Sequence, residues 1–136
     1  MQGVDLFSGA GGMSTGALLS GIDIRYAVEF SQHAAATFAL NHPDTELFAR
    51  DVRTVRAVEF RELDRRKQLV LYGGPPCQGF STSNQKNRGF DNEKNWLFRE
   101  YLRLVRSVRP DWVVFENVNT SKASLKRKVV TSSMQS

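Results

Sequence analysis

The sequence predicts an α/β fold, a doubly wound and mostly parallel sheet truncated after the fifth strand. Three observations predict it. Short apolar runs bounded by Gly, Pro, Asp and Asn alternate with longer stretches of helical pattern. The spacing leaves room for one crossover between successive runs, as parallel βαβ units with helices on both faces require. A glycine turn, two carboxylates, the single cysteine and a further glutamate all fall at the ends of those runs, the edge of such a sheet at which ligands bind.

Each element has its own justification. Val4 to Phe7 forms the first strand, the glycine turn Ser8–Gly12 follows, and Met13 to Leu19 makes a helix closed by Gly21. Ile24 to Phe30 is the second strand, with Glu29 near its end. Ser31 is an N-cap for the Ala-rich helix His33 to Leu40, which stops near Asn41 because Pro43 excludes helical geometry before it. Thr45 to Ala49 is the third strand and leads to Asp51. Val52 to Leu63 is expected to be helical, although Val55, Val58 and Leu63 fit the helical period only loosely. Leu69 to Tyr72 is a fourth, buried strand, followed by a polar stretch from Thr82 to Asn92. Trp96 to Val108 is amphipathic, with Leu97, Tyr101, Leu104, Val105 and Val108 on one face and Arg99, Arg103 and Arg106 on the other. Pro110 ends it, and Asp111 to Val118 is the fifth strand. Residues 1–118 thus form the folded part, and 119–136 read as a basic, Ser/Thr/Lys-rich tail without a core of its own.

Composition bounds the function classes. At 136 residues the chain is one ordinary domain, and 40% hydrophobic with 24% charged residues is the balance of a soluble globular protein. No run approaches the ~20 apolar residues of a membrane span, and the N-terminus enters a strand-like run without a signal-peptide pattern. One unpartnered thiol suits a reducing compartment, so the expected location is intracellular, in the cytoplasm or nucleoid of a prokaryote or in a nucleus. The net charge of +5, from 19 Lys and Arg against 14 Asp and Glu, is compatible with nucleic acid as a partner without requiring it. No metal is expected.

The residues at the strand ends carry chemistry. Gly9-Ala10-Gly11-Gly12 lets a ligand approach the backbone and the first amides of a helix, but it lacks the dinucleotide-binding spacing, and no Lys-Ser or Lys-Thr follows for a phosphate loop. Glu29 is placed to accept from ribose hydroxyls, and Asp51 from an adenine amino group. A nucleoside without a phosphate requirement fits these acceptors, and S-adenosylmethionine is one. Cys77 lies in Gly73-Gly74-Pro75-Pro76-Cys77-Gln78-Gly79-Phe80-Ser81, where two prolines fix the backbone before the thiol and Gly79 frees it after. A free Cys is more often a small buried apolar residue. Pro-Pro-Cys-Gln-Gly at a strand end is poor core material, so reactivity gains weight.

The motifs Asp5-Leu6-Phe7-Ser8-Gly9-Ala10-Gly11-Gly12, Gly74-Pro75-Pro76-Cys77-Gln78-Gly79-Phe80-Ser81 and Glu116-Asn117-Val118 occur in the order found in DNA cytosine C5 methyltransferases. Over residues 4–118 the chain closely resembles their N-terminal catalytic half, a Rossmann-like fold dependent on S-adenosylmethionine. The resemblance implies that the Cys77 thiolate adds to C6 of a flipped-out cytosine while Glu116 contacts the N3 edge. It also implies that Phe7, Ser8, Gly9, Ala10, Gly11 and Gly12 pack on the cofactor, Glu29 holds its ribose, Phe30 flanks the adenine, and Asp51 with Val52 reads the adenine edge. Gly74, Pro76 and Leu97 complete that pocket, and Gln78, Ser81 and Lys86 are implied DNA contacts.

Family members continue beyond Glu-Asn-Val with the rest of the sheet, a target-recognition domain and a C-terminal segment. The partners implied are therefore DNA and a second polypeptide carrying those parts, with no membrane. Two other readings remain open at this point: a non-catalytic fragment that retains cofactor binding, and an RNA cytosine C5 methyltransferase of the same fold.

Overall fold

The computed structural model describes residues 1–76 and 96–116 together with the backbone of 128–130. β1 (Gln2–Leu6) is buried along its whole length and pairs in parallel with β2 (Asp23–Val28) on one side and β4 (Leu69–Gly73) on the other. β3 (Glu46–Phe48) extends the sheet beyond β2, and β5 (Trp112–Phe115) extends it beyond β4, both in parallel. β6 (Lys128–Val130) adds an antiparallel edge to β5, so the order is β3-β2-β1-β4-β5-β6. The chain moves outward from β1 through β2 to β3, returns to β4 on the other side, and moves outward again. The reversal opens a crevice at the carboxyl ends of β1 and β4.

Strand alternation sorts the residues between two faces. On one face Val4, Leu6, Tyr26, Val28, Leu69 and Leu71 join the main core with Val52, Val55, Phe60 and Leu63 and with Tyr101, Leu104 and Val108 of α3 (Trp96–Val108). α3 occupies the span expected from its pattern. The other face holds Asp5 and Tyr72, which meet Ser14 of α1 (Gly12–Leu19). α2 (Gln32–Asn41) follows β2, and the Ser31 hydroxyl accepts from the Ala34 amide, as its N-cap role predicts. Gln2 is buried without penalty because its side-chain amide donates to the Asp64 carbonyl at 2.8 Å and accepts from the Asp64 amide at 2.9 Å.

The helix expected over Val52 to Leu63 does not form. Two 3-10 turns, Val52–Thr54 and Ala57–Glu59, stand in its place, separated by Val55 and Arg56 in extended conformation. The β-branched run Val52, Thr54, Val55 and Val58 resists helix. Asp51 caps the first turn, and the Glu59 carboxylate takes the Arg56 amide. The carbonyls of Val52 and Val55, which a continuous helix would give to amides four residues on, instead accept from the Arg103 guanidinium at 3.1 and 3.0 Å. Arg103, read from sequence as solvent-facing, thus ties α3 to this segment. β6 lies within the stretch expected to be a tail. A three-residue strand in a Ser- and Lys-rich context carries almost no periodic signal, which is why the sheet reads as ending at β5.

Candidate active site

The turn after β1 is built for close approach. Phe7 and Gly9 adopt positive φ of 62° and 57°, and the Ser8 amide is held by the Val28 carbonyl at 3.1 Å. A Cβ on Gly11 would fall 2.5 Å from the His42 ring, so that glycine is required by packing against α2. Gly9 and Gly12 differ: a Cβ on either would enter open space. Their missing side chains leave room above the turn, beside the first amides of α1, which have no carbonyl partners within the helix.

Glu29 follows β2 and binds this turn directly. One carboxylate oxygen accepts from the Gly9 amide at 2.8 Å, and the other accepts from the Ser31 amide at 2.7 Å. Each oxygen keeps a second acceptor site. Phe30, next to it, is 71% exposed, unusual for a ring in the rim of a small domain. The Glu29 amide donates to the Phe48 carbonyl, which joins the end of β2 to the end of β3 and hence to Asp51. Asp51 accepts from the Arg53 amide and from both Nε and Nη2 of its guanidinium, and these hydrogen bonds hold its carboxyl below the usual range. The Val52 side chain is buried in the core, so this residue offers the rim only its backbone.

On the other side of β1, Leu6 is paired with Gly73, whose φ of 152° and contact with Leu6 admit no side chain: a Cβ there would lie 1.8 Å from the Leu6 carbonyl oxygen. The Glu116 amide donates to the Gly73 carbonyl at 3.1 Å, and Glu116 Cβ lies 3.5 Å from the Cβ position of Gly74. Gly74, Pro76 and the exposed Glu116 therefore share the rim with the Phe7–Gly12 turn, while the half-buried Leu97 packs against the main core at the start of α3. Cys77, Gln78, Ser81 and Lys86 lie outside the described residues; Cys77 follows Pro76 in the chain.

Sequence reasoning missed what supports the turn. The Ser14 hydroxyl donates to Asp5 at 2.6 Å and lies 3.0 Å from the Tyr72 hydroxyl, all three being buried. The other Asp5 oxygen and the Ser8 hydroxyl have no partner among the described residues. Burial pushes the Asp5 carboxyl up to about 7, opposed by the Ser14 hydrogen bond and reinforced by the charge of Glu29. Tyr72 is raised as well, by burial and then by Asp5. An aspartate in the middle of an apolar strand was the available signal. Among the described residues no cluster of His, Cys, Asp and Glu could hold a metal ion, and no helix is long and apolar enough to cross a membrane.

A doubly wound sheet whose strand ends offer an open glycine turn, two carboxylates and an exposed ring is an α/β domain with a ligand-sized rim at its topological switch point. The chain matches the profile of the C-5 cytosine-specific DNA methylases over residues 1–136, further than the motifs alone reach. It is 40% identical over 117 residues to the Type II methyltransferase M1.HphI of Haemophilus parahaemolyticus, covering 85% of this chain and 32% of that protein. It is 35% identical to the Type II methyltransferase M.AquIA of Picosynechococcus sp., covering 97% of this chain and 56% of that protein. The crystal structure of a prophage-encoded E. coli protein described as a DNA modification methyltransferase superposes with a TM-score of 0.71 at 37% identity, over 87% of this chain and 32% of that one. The chain belongs to the C-5 cytosine-specific DNA methylase family, and it spans about a third of the length of M1.HphI and just over half that of M.AquIA.

Proposed function

We propose that this chain is the cofactor-binding and nucleophile-bearing portion of a DNA cytosine C5 methyltransferase that takes its methyl group from S-adenosylmethionine. The observation that carries the reading is the gathering of the glycine turn, Glu29, Phe30, Asp51, Gly74 and Glu116 on one rim of a sheet belonging to this family.

The rim fits the nucleoside. Gly9 and Gly12 leave space where any Cβ would project, the free acceptor sites of Glu29 suit ribose hydroxyls, and the exposed Phe30 ring offers a face to adenine. Asp51 accepts from the adenine amino group, and Val52 contributes its backbone. The bound cofactor supplies an electrophilic methyl group on a sulfonium. C5 of cytosine is too weak a nucleophile to take it unaided, and neither ring carbon can be reached inside a duplex. The Cys77 thiolate forms a bond to C6 of the flipped-out base, which moves electron density to C5. Glu116, one strand over from the loop that begins at Gly74, bonds the N3 edge and favours its protonated form. After methylation a base removes the C5 proton, and the electron pair of that bond restores the ring double bond as the thiolate leaves. Gln78, Ser81 and Lys86 contact DNA in this reading.

Transfer of a tritiated methyl group to DNA tests it, measured for the chain alone and with a candidate recognition polypeptide. Methylation in the combined sample supports the proposal. Cofactor binding without transfer in either sample favours a fragment that keeps only the nucleoside site.

A further inference from the structure

The adenine end of the rim holds a side chain that neither the motifs nor the proposed mechanism uses. Arg53 donates to Asp51 three times, from its amide at 2.9 Å to one oxygen and from Nε at 3.0 Å and Nη2 at 2.6 Å to the other. The guanidinium in turn lies over the ring of Trp96, the first residue of α3, 4.5 Å from its centroid. The same helix grips the backbone of this turn through Arg103, which is itself held by Glu100 at 2.6 Å. α3 thus holds this segment at two points, through the Val52 and Val55 carbonyls that follow Asp51, which Arg103 takes, and through the Asp51 carboxylate, held by an arginine seated on Trp96.

A carboxylate has about four acceptor sites. The guanidinium takes both sites on one oxygen and the amide takes one on the other, so a single acceptor direction remains on the oxygen the guanidinium does not touch. We propose that Arg53, seated on Trp96, is a positioning residue that fixes the orientation of Asp51 and thereby sets the preference of the site for an adenine over a 6-oxopurine. This rests on the reading of Asp51 as the acceptor for the adenine amino group. Adenine donates at its 6-position, whereas hypoxanthine presents an oxygen there that a fixed carboxylate repels. A freely rotating Asp51 would lose both the aligned acceptor and the repulsion.

Titration calorimetry with S-adenosylhomocysteine and S-inosylhomocysteine separates the possibilities, with thermal melting confirming that each variant folds. The expected result is that Arg53→Ala weakens the adenosyl ligand about tenfold, since a hydrogen bond to a charged acceptor is of that size, and tightens the inosyl ligand, since the repulsion of its 6-oxygen is relieved. Arg53→Met, which keeps the apolar stem on Trp96 without the fork, shows the same loss, and Arg53→Lys recovers part of it. In an Asp51→Ala background Arg53→Ala changes nothing further. Equal weakening of both ligands marks a merely structural role and overturns the proposal, as does an unaffected Arg53→Ala beside an impaired Asp51→Ala. An Asp51→Ala variant that binds the adenosyl ligand like the parent, or a parent that binds neither ligand, removes the reading of Asp51 and the proposal with it.

Discussion

Replacing Asp5 by Asn should remove the loss of stability that this carboxyl causes as pH rises from about 4 to about 7. The Asp5 carboxyl is pushed from 3.8 up to about 7 in the fold, first by burial, with the Ser14 hydrogen bond opposing and the Glu29 charge adding. Between those two values the folded protein holds a proton that the unfolded chain has released, so stability falls as pH rises from about 4 to about 7 and is level above. The shift is about three pH units, and at ~1.4 kcal/mol per unit the ionised group costs the fold about 4 kcal/mol at most. Asn keeps an acceptor for the Ser14 hydroxyl but puts an NH2 where one Asp5 oxygen has no partner among the described residues, a cost of roughly 1–3 kcal/mol at any pH. Asp5→Asn should therefore be level with or below the parent at pH 4 and more stable by about 1–3 kcal/mol at pH 8. Urea unfolding followed by circular dichroism at unit steps of pH between 4 and 8 measures the difference. Parallel stability profiles for the two proteins would refute the argument that burial of this carboxyl governs its titration. Glu29→Gln should shift the parent's transition to lower pH, because Glu29 contributes to the shift.

Three further outcomes concern Gly73, Gly12 and the proposed nucleophile. Gly73→Ala should lose more than about 3 kcal/mol or fail to fold, because its Cβ would meet the Leu6 carbonyl oxygen at 1.8 Å and no side-chain rotation relieves a backbone clash; a melting temperature like the parent's would contradict it. Gly12→Ala should leave the fold intact or gain about 0.5 kcal/mol from helix propensity while weakening S-adenosylhomocysteine, since its Cβ enters the open space assigned to the ligand; unchanged affinity in calorimetry would move the ligand elsewhere. Cys77→Ser, in a reconstituted methylating enzyme, should abolish transfer and leave cofactor affinity within about twofold, because the thiol acts on the base and not on the nucleoside. Substantial tritium incorporation by that variant would remove Cys77 as the nucleophile.

Much of this architecture was legible because each local signal agreed with the next. Ser31, Pro43 and Pro110 bounded helices, and α3 matched its expected span and apolar face because a strong helical period leaves no competing register. The segment after Asp51 was misread for the opposite reason. Its apolar residues have no clean period, and its conformation is decided by Arg103, a residue about fifty positions away whose charge looked like a solvent marker. β6 was illegible because its pairing with β5 is a tertiary contact written in three residues. At the site, the carboxylates Glu29, Asp51 and Glu116 were legible as strand-end residues. Their partners were not, since the Gly9 amide and the Arg53 fork are set by loop conformation rather than by spacing.

That difference explains how the rim can serve a ligand without a fingerprint in its glycine spacing. In a dinucleotide site the glycines, the helix amides and a distant acidic residue each contact the ligand independently. Here the Glu29 carboxylate is bonded to the amide of Gly9 inside the turn and to the amide at the N-cap of α2, so acid and turn form one unit. A change in either one displaces the other. Beneath that unit lies Asp5, whose charge is opposed by Glu29 and whose hydroxyl partner, Ser14 of α1, is in turn bonded to Tyr72 of β4. The crevice at the switch point is therefore held by polar contacts between four elements, with the main apolar core on the opposite face of the sheet. Such a layer is stable only when its hydrogen bonds are complete, because each unpaired buried group costs more than a typical pair contributes. The two buried oxygens without partners among the described residues, on Asp5 and Ser8, are the points at which this layer is weakest, and both lie beside the turn that a bound nucleoside would cover.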